Sequence, residues 1–144
     1  MSTTTRTLTV KDVTVGQEIE PVAFPITVYR LVMEAGANRD FNSIHHNSQY
    51  AQRTGAPEMY ANTGFLMGMW ERAVRDWTGP GGQLTALRGF RMGRFNLVGN
   101  TITVRGAVTA TDPDTGRVTL RVHCEDDDGI TVGPGEVDVL LPQS

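Results

Sequence analysis

The sequence predicts an α+β domain, and three observations carry that prediction. Ala61 to Trp77 holds apolar residues at helical spacing over a length no other segment reaches. Four later segments, Gln83 to Phe95, Thr101 to Thr111, Arg117 to Glu125 and Ile130 to Leu141, have strand character. An earlier extended stretch, Ile19 to Ile26, offers a further strand. One long helix followed by a four-stranded antiparallel meander, completed by that earlier strand, is an α+β layout.

The chain bounds the answer further. At 144 residues it is expected to be one domain, residues 1–144, with a single core. A net charge of −3 and the lack of any Lys/Arg cluster argue against nucleic acid as a partner. Cys124 is the single cysteine, which excludes an intrachain disulfide and a cysteine-based zinc site. No apolar run approaches a membrane span, and Met1 to Lys11 lacks a signal-peptide core, so a cytoplasmic protein is expected. No internal repeat or low-complexity segment is present.

Taken in order, Met1 to Thr5 is small and polar, and a disordered tail over residues 1–6 of the single domain is expected. Thr7 to Val10 reads as a short strand, and Val15 to Ile19 as a turn into the extended segment. Two prolines in Ile19 to Ile26 favour a sheet edge. Thr27 is a candidate cap for a short helix through Glu34 that ends at Gly36. A loop follows, and Ser48 then begins a brief helix, Gln49 to Arg53.

The long helix carries Leu66, Met67, Trp70, Ala73, Val74 and Trp77 as one stripe, and Met67, Met69 and both tryptophans are expected in the core. Gly64 and Gly68 each cost about 1 kcal/mol relative to alanine inside a helix, so close packing is expected there. Either a sheet or a ligand could make that approach. Gly79-Pro80-Gly81-Gly82 ends the helix. Ile102-Val104-Gly106-Val108 and Val118-Leu120-Val122 alternate with polar residues, as half-buried strands do. Asp112 to Gly116 reads as a hairpin turn, and Asp126-Asp127-Asp128-Gly129 as another. The acidic run lacks the alternating ligands and distant Glu of a calcium loop, so no metal is expected.

Chemistry concentrates in Asp40-Phe41-Asn42-Ser43-Ile44-His45-His46. Asp40 and His45 lie five residues apart, which suits a loop better than a helix. Phe41 and Ile44 are placed to anchor that loop to a core, leaving Asp40 and His45 free to meet over one water. Such a pair is a plausible general acid/base. The plainer alternative is that Asp40 braces a turn and the histidines are ordinary surface residues.

Asp40-Phe41-Asn42-Ser43-Ile44-His45 resembles the hydratase signature of the MaoC-like enoyl-CoA hydratases, Gly-Asp-x-Asn-Pro-aliphatic-His. Asp40, Asn42, Ile44 and His45 match, while Arg39 stands for the glycine and Ser43 for the proline. Pro57 to Asn62 is similar to the start of that family's central helix, and Phe90 to Asn100 to the strand and turn that follow it. Arg39-Asp40-Phe41, His45-His46, Asp76-Trp77 and Gly79-Pro80 look most like the small subunits of actinobacterial steroid side-chain hydratases. The resemblance spans roughly residues 15 to 141 and implies a hotdog fold, a curved antiparallel sheet wrapped around one central helix.

It also implies reversible hydration of a 2-enoyl-CoA to a 3-hydroxyacyl-CoA, with coenzyme A as part of the substrate and no separate cofactor. Asp40 would take the proton of water as hydroxide adds to C3, and His45 would orient that water and assist protonation of C2. Asp40 would need partial burial to become a usable base. Asn42, Tyr60, Ala61 and Gly64 are the implied substrate-binding positions, with Asn42 fixing the loop. Backbone N–H groups around Ala61 are the implied donors to the thioester oxygen, since the first N–H groups of a helix lack internal acceptors. Arg39 and His46 either line the pocket or face solvent, and His123 is expected to be structural.

Sheet edges need covering, and hotdog domains generally pair by extending the sheet. No stable monomer is therefore expected, and the likeness to the steroid side-chain branch implies a heteromer with a second MaoC-like subunit, with a homodimer as the alternative. The rival functions are a hotdog acyl-CoA thioesterase, which would usually need an acid facing the thioester from the central helix, and a non-catalytic subunit that stabilises a partner. Glu71 and Asp76 come late in the helix for the first, and the Asp40/His45 pair speaks against the second.

Overall fold

Apolar alternation in the last third of the chain builds most of a five-stranded antiparallel sheet. In the computed structural model, which describes residues 6–144, the strands are β1 (Val22–Pro25), β2 (Gln83–Arg88), β3 (Thr101–Asp112), β4 (Arg117–Asp126) and β5 (Gly129–Leu140). The tail expected at residues 1–5 lies outside the described residues. Arg6, placed with that tail, instead donates to Asp12 at 3.0 Å.

Strand order is β1-β3-β4-β5-β2, which corrects the simple meander. Only β3, β4 and β5 run as consecutive hairpins; β2 pairs with β5 at the far edge. β2 also ends at Arg88, short of Phe95. Beyond it the chain leaves the ladder, touching the fold through the isolated bridges Met92↔Val132 and Tyr60↔Leu97. β1 occupies the other edge, which suits Pro25 within it.

Helices α1 (Val28–Ala37), α2 (Ser48–Arg53) and α3 (Thr63–Thr78) complete the fold. The sheet curls around α3, with Val104, Val118, Leu120, Val122, Val132 and Val137 turned inward and fully buried. Leu66, Met69, Trp70, Ala73 and Val74 meet them from the helix. Full burial of one such large apolar side chain is worth about 1.5–3 kcal/mol, so this seam dominates stability. The Trp70 indole N–H donates to Cys124 Sγ at 3.2 Å, and burial pushes the Cys124 thiol up to about 12. Among the described residues no helix is long and apolar enough to cross a membrane.

Four local expectations change. Met67 is not core but exposed, because the buried stripe runs through Met69 instead. Thr7 to Val10 forms no strand: Leu8 and Val10 donate to Thr78 and Pro142, two separate acceptors that make no ladder. A 3-10 turn, Val10–Asp12, follows, its Asp12 carboxylate accepting from both the Thr9 N–H and hydroxyl. The long helix begins at Thr63 and not at Ala61, because Asn62 caps it by accepting the Phe65 N–H at 2.7 Å. Finally, close packing holds at Gly64 but not at Gly68: a Cβ on Gly64 would lie 2.8 Å from the Asn38 side-chain Nδ2, not against the sheet, while one on Gly68 would meet nothing within 4 Å.

Candidate active site

The site begins with the way α1 stops. Thr27 caps its start, accepting the Arg30 N–H at 3.1 Å. At its end the Arg39 N–H donates to Gly36 and the Asp40 N–H to Ala35, with Arg39 at φ 54°. This is the Schellman pattern, with Arg39 in the left-handed position that usually holds glycine. The helix therefore runs to Ala37, past the expected stop at Gly36. Its termination fixes the backbone of Asp40.

Asn42 turns the loop back. Its Oδ1 accepts the Ile44 N–H at 3.2 Å and so caps a single 3-10 turn, Ser43–His45. The turn holds although serine replaces proline within it. His45 is thereby carried back over Asp40, with Nε2 3.1 Å from Asp40 Oδ2. Asn47 then caps α2, and Ser48 Oγ donates to Glu58 at 2.5 Å. That bond, with the Met59 N–H, holds the Glu58 carboxyl below its usual range.

His45 is oriented from its other side. Nδ1 lies 2.7 Å from the Tyr60 carbonyl, which only accepts, so Nδ1 carries the proton. Nε2 of a neutral ring then faces Asp40 with a lone pair. At 3.1 Å the two atoms can bond each other through one proton, or both can hold the same water from the cavity side. Tyr60 itself is held by a strand-like bridge: Ala61 donates to Asn96 at 3.0 Å and Val98 to Met59 at 2.9 Å. Alternation along that segment leaves the Tyr60 carbonyl pointing the other way, at His45.

The bridge also corrects one assignment. The Ala61 N–H is spent on Asn96 and is no open donor. The open ones come two residues later: the N–H groups of Thr63 and Gly64 have no acceptor among the described residues.

A cavity of about 600 Å³ collects these groups. Asp40, Asn42, His45, Tyr60, Ala61 and Gly64, the six residues named from sequence, all line it. The His45 side chain is 7% exposed and that of Asp40 38%, so the imidazole is enclosed and the carboxylate faces the opening. Ile44 lines the cavity, but Phe41 does not anchor the loop; it is 71% exposed. Burial and the negative charge of Asp40 raise the Tyr60 phenol above its ordinary range. Arg39 and His46 face solvent, outside the lining. His123 sits away from the cavity, 3.1 Å from Glu125.

Sequence reading missed Asn38, Asn62, Thr63 and Met92, which also line the cavity. For Asn62 a signal existed: Asn before Thr-Gly at a helix start is a capping pattern. Neither acid of α3 serves the cavity, since Glu71 pairs with Arg75 and Asp76 with Arg72 along the exposed helix face.

No family model matches the chain. Over 92 residues it is 33% identical to the beta subunit of 3-oxo-4,17-pregnadiene-20-carboxyl-CoA hydratase of Mycobacterium tuberculosis (strain ATCC 25618 / H37Rv), across 64% of this chain and 69% of that one. The crystal structure of the ChsH1-ChsH2 complex, also from Mycobacterium tuberculosis, contains a chain that matches with a TM-score of 0.83 at 27% identity. That match covers 89% of this chain and 98% of the other. A MaoC-like dehydratase shares the fold, with a TM-score of 0.87 at 24% identity over 94% of this chain and 42% of that one.

Proposed function

The chain belongs to the MaoC-like hydratases of the hotdog fold, and we propose that it reversibly hydrates a 2-enoyl-CoA to a 3-hydroxyacyl-CoA. One observation carries this reading. Asp40 and His45 meet at 3.1 Å in a cavity, with the outer nitrogen of the imidazole pinned to a carbonyl.

In the hydration direction, a water held by Asp40 and His45 Nε2 approaches C3. Its oxygen bonds C3 as its proton passes to Asp40, and the double-bond electrons move toward the thioester as an enolate. The N–H groups of Thr63 and Gly64, which have no acceptor among the described residues, would donate to the thioester oxygen, aided by the partial positive charge of the helix start. C2 then takes the proton from the dyad, with His45 assisting, and both side chains return to their starting state. Dehydration runs the same steps backward.

The substrate we favour is a steroid side-chain enoyl-CoA, supported by the named activity of the 33% identical relative. The partner we favour is a second MaoC-like subunit, supported by the two-component complex that contains a structural relative. A homodimer is the alternative. The thioesterase reading is disfavoured because Glu71 and Asp76 are engaged in ion pairs outside the cavity.

The test follows ultraviolet loss of the conjugated enoyl thioester. Straight-chain and steroid-derived substrates are offered to the protein alone and with a MaoC-like partner subunit. Hydration that vanishes in Asp40→Asn and survives in His46→Ala is the expected result. Full hydration by Asp40→Asn would refute the mechanism.

A further inference from the structure

Asn62 is buried to 6% relative exposure, yet its hydrogen bonding is half finished. Its Oδ1 accepts the Phe65 N–H at 2.7 Å and a longer approach from Asn38 Nδ2 at 3.4 Å. Because a backbone N–H needs an acceptor, this contact fixes which side of the amide is oxygen. Nδ2 is therefore the other end, and it has no protein partner among the described residues. Nδ2 is not fully enclosed, since the one enclosed side-chain polar atom left without a partner among the described residues is Asn96 Oδ1, so this donor keeps access to the space beside it and is open to a ligand there. Asn62 lines the same cavity as Asp40 and His45.

We propose that Asn62 is a further catalytic residue, its side-chain amide donating a hydrogen bond to the thioester oxygen as the enolate forms. This rests on the hydratase reading and extends it from backbone to side chain. The open N–H groups of Thr63 and Gly64 stand in sequence directly after Asn62, at the start of a sixteen-residue helix. The cap sets the side chain: with Oδ1 held on Phe65, the amide cannot rotate Nδ2 away without breaking the cap. One side chain thus orients the helix start and adds a third donor to it. The ligand class is an acyl thioester whose carbonyl gains negative charge.

Two substitutions separate the roles. Asn62→Asp and Asn62→Ser both retain a good capping oxygen but lose the amide donor. Each is expected to melt like wild type while hydration of 2-butenoyl-CoA falls about 10²-fold, mainly in kcat, because the lost bond strengthens in the transition state. Asn62→Asp is expected to lose more, since it sets a carboxylate beside the developing anion. Acetoacetyl-CoA supplies a second readout: wild type should favour its enolate, seen by ultraviolet absorbance, and both variants should not.

Unchanged kcat and enolate absorbance in either folded variant would overturn the assignment. If Asp40→Asn abolishes turnover in the same series, the hydratase reading survives that loss. Should both variants fail to fold, the wild-type protein still decides the matter. Its Asn62 side-chain amide resonances must move when acetoacetyl-CoA is added, and resonances that stay put refute the donor.

Discussion

Among the carboxylates that lie beside positively charged or chargeable partners, Asp138 and Asp40 are treated in opposite ways. Asp138, on β5, accepts from Arg88 of β2 and from Arg117 and Thr119 of β4, and is 3% exposed. Arg88 above all holds its carboxyl well below the usual carboxylate range. Asp40 has one imidazole on one oxygen and a long 3.4 Å contact from the Asn42 N–H on the other. The saturated acid ties the edge strand β2 to the sheet, and its lone pairs are used up. The undercommitted one keeps capacity for a water and opens on a cavity. Chemistry is supported where bonding was left incomplete.

The sharpest test of that contrast removes each charge in turn. Asp40→Asn and His45→Ala are expected to cut hydration by about 10²–10⁴-fold, the usual contribution of a general acid/base. Asp40→Asn should melt within about 1 kcal/mol of wild type, because this partly exposed carboxylate contributes little to stability, whereas His45→Ala also empties an enclosed ring site and is judged on turnover per folded molecule. A large loss of stability in Asp40→Asn, measured by urea unfolding, would make Asp40 a structural acid like Asp138.

Asp138→Asn should behave in reverse. Losing bonds to two guanidinium groups is expected to cost about 2 kcal/mol in urea unfolding, with kcat per folded molecule unchanged. The pH dependence has a definite sign. The folded-state pKa of Asp138 is depressed, so its contribution is fully present above the unfolded value of about 4. It fades as pH falls below that value toward the lower folded one. Wild type should therefore lose part of its margin over Asp138→Asn below about pH 4. A margin that is constant from pH 7 down to pH 3 would show that the arginines do not depress this carboxyl.

What could be read from sequence divides along the same line of locality. The stripe on α3 and the alternation in β3 and β4 are short-range patterns, and they located the core. The Asp40–Asn42–His45 motif is local too, since its geometry is set by a helix stop and one 3-10 turn. The position of β2 beside β5 was not legible, because that pairing joins residues about fifty apart and depends on the return path through residues 89–100. Ala61 is misleading in sequence for the same reason. Its N–H looks free along the chain and is consumed by Asn96 thirty-five residues later. Phe41 looks like a loop anchor by its apolarity alone, but it follows the Schellman turn and stands exposed.

The smallest expected effect is at Arg39, and it tests whether the loop is held by its backbone or by that side chain. Arg39 stands at φ 54°, where a side chain with a Cβ costs about 1–2 kcal/mol and glycine almost nothing. Its guanidinium has no ion pair among the described residues and lies outside the cavity. Arg39→Gly relieves the backbone strain, but glycine also gains freedom in the unfolded chain, worth about 0.4–1 kcal/mol in the opposite direction. The net expectation is a gain of about 0.5 kcal/mol, or roughly a 1–2 °C rise in Tm for a chain of this size. Turnover should not change, because the hydrogen bonds from the Arg39 and Asp40 N–H groups to Gly36 and Ala35 are backbone bonds that glycine keeps. Calorimetry and the enoyl-CoA assay on the same preparation check both halves. A fall in kcat without a fall in Tm would mean that the Arg39 side chain reaches the substrate or a partner subunit.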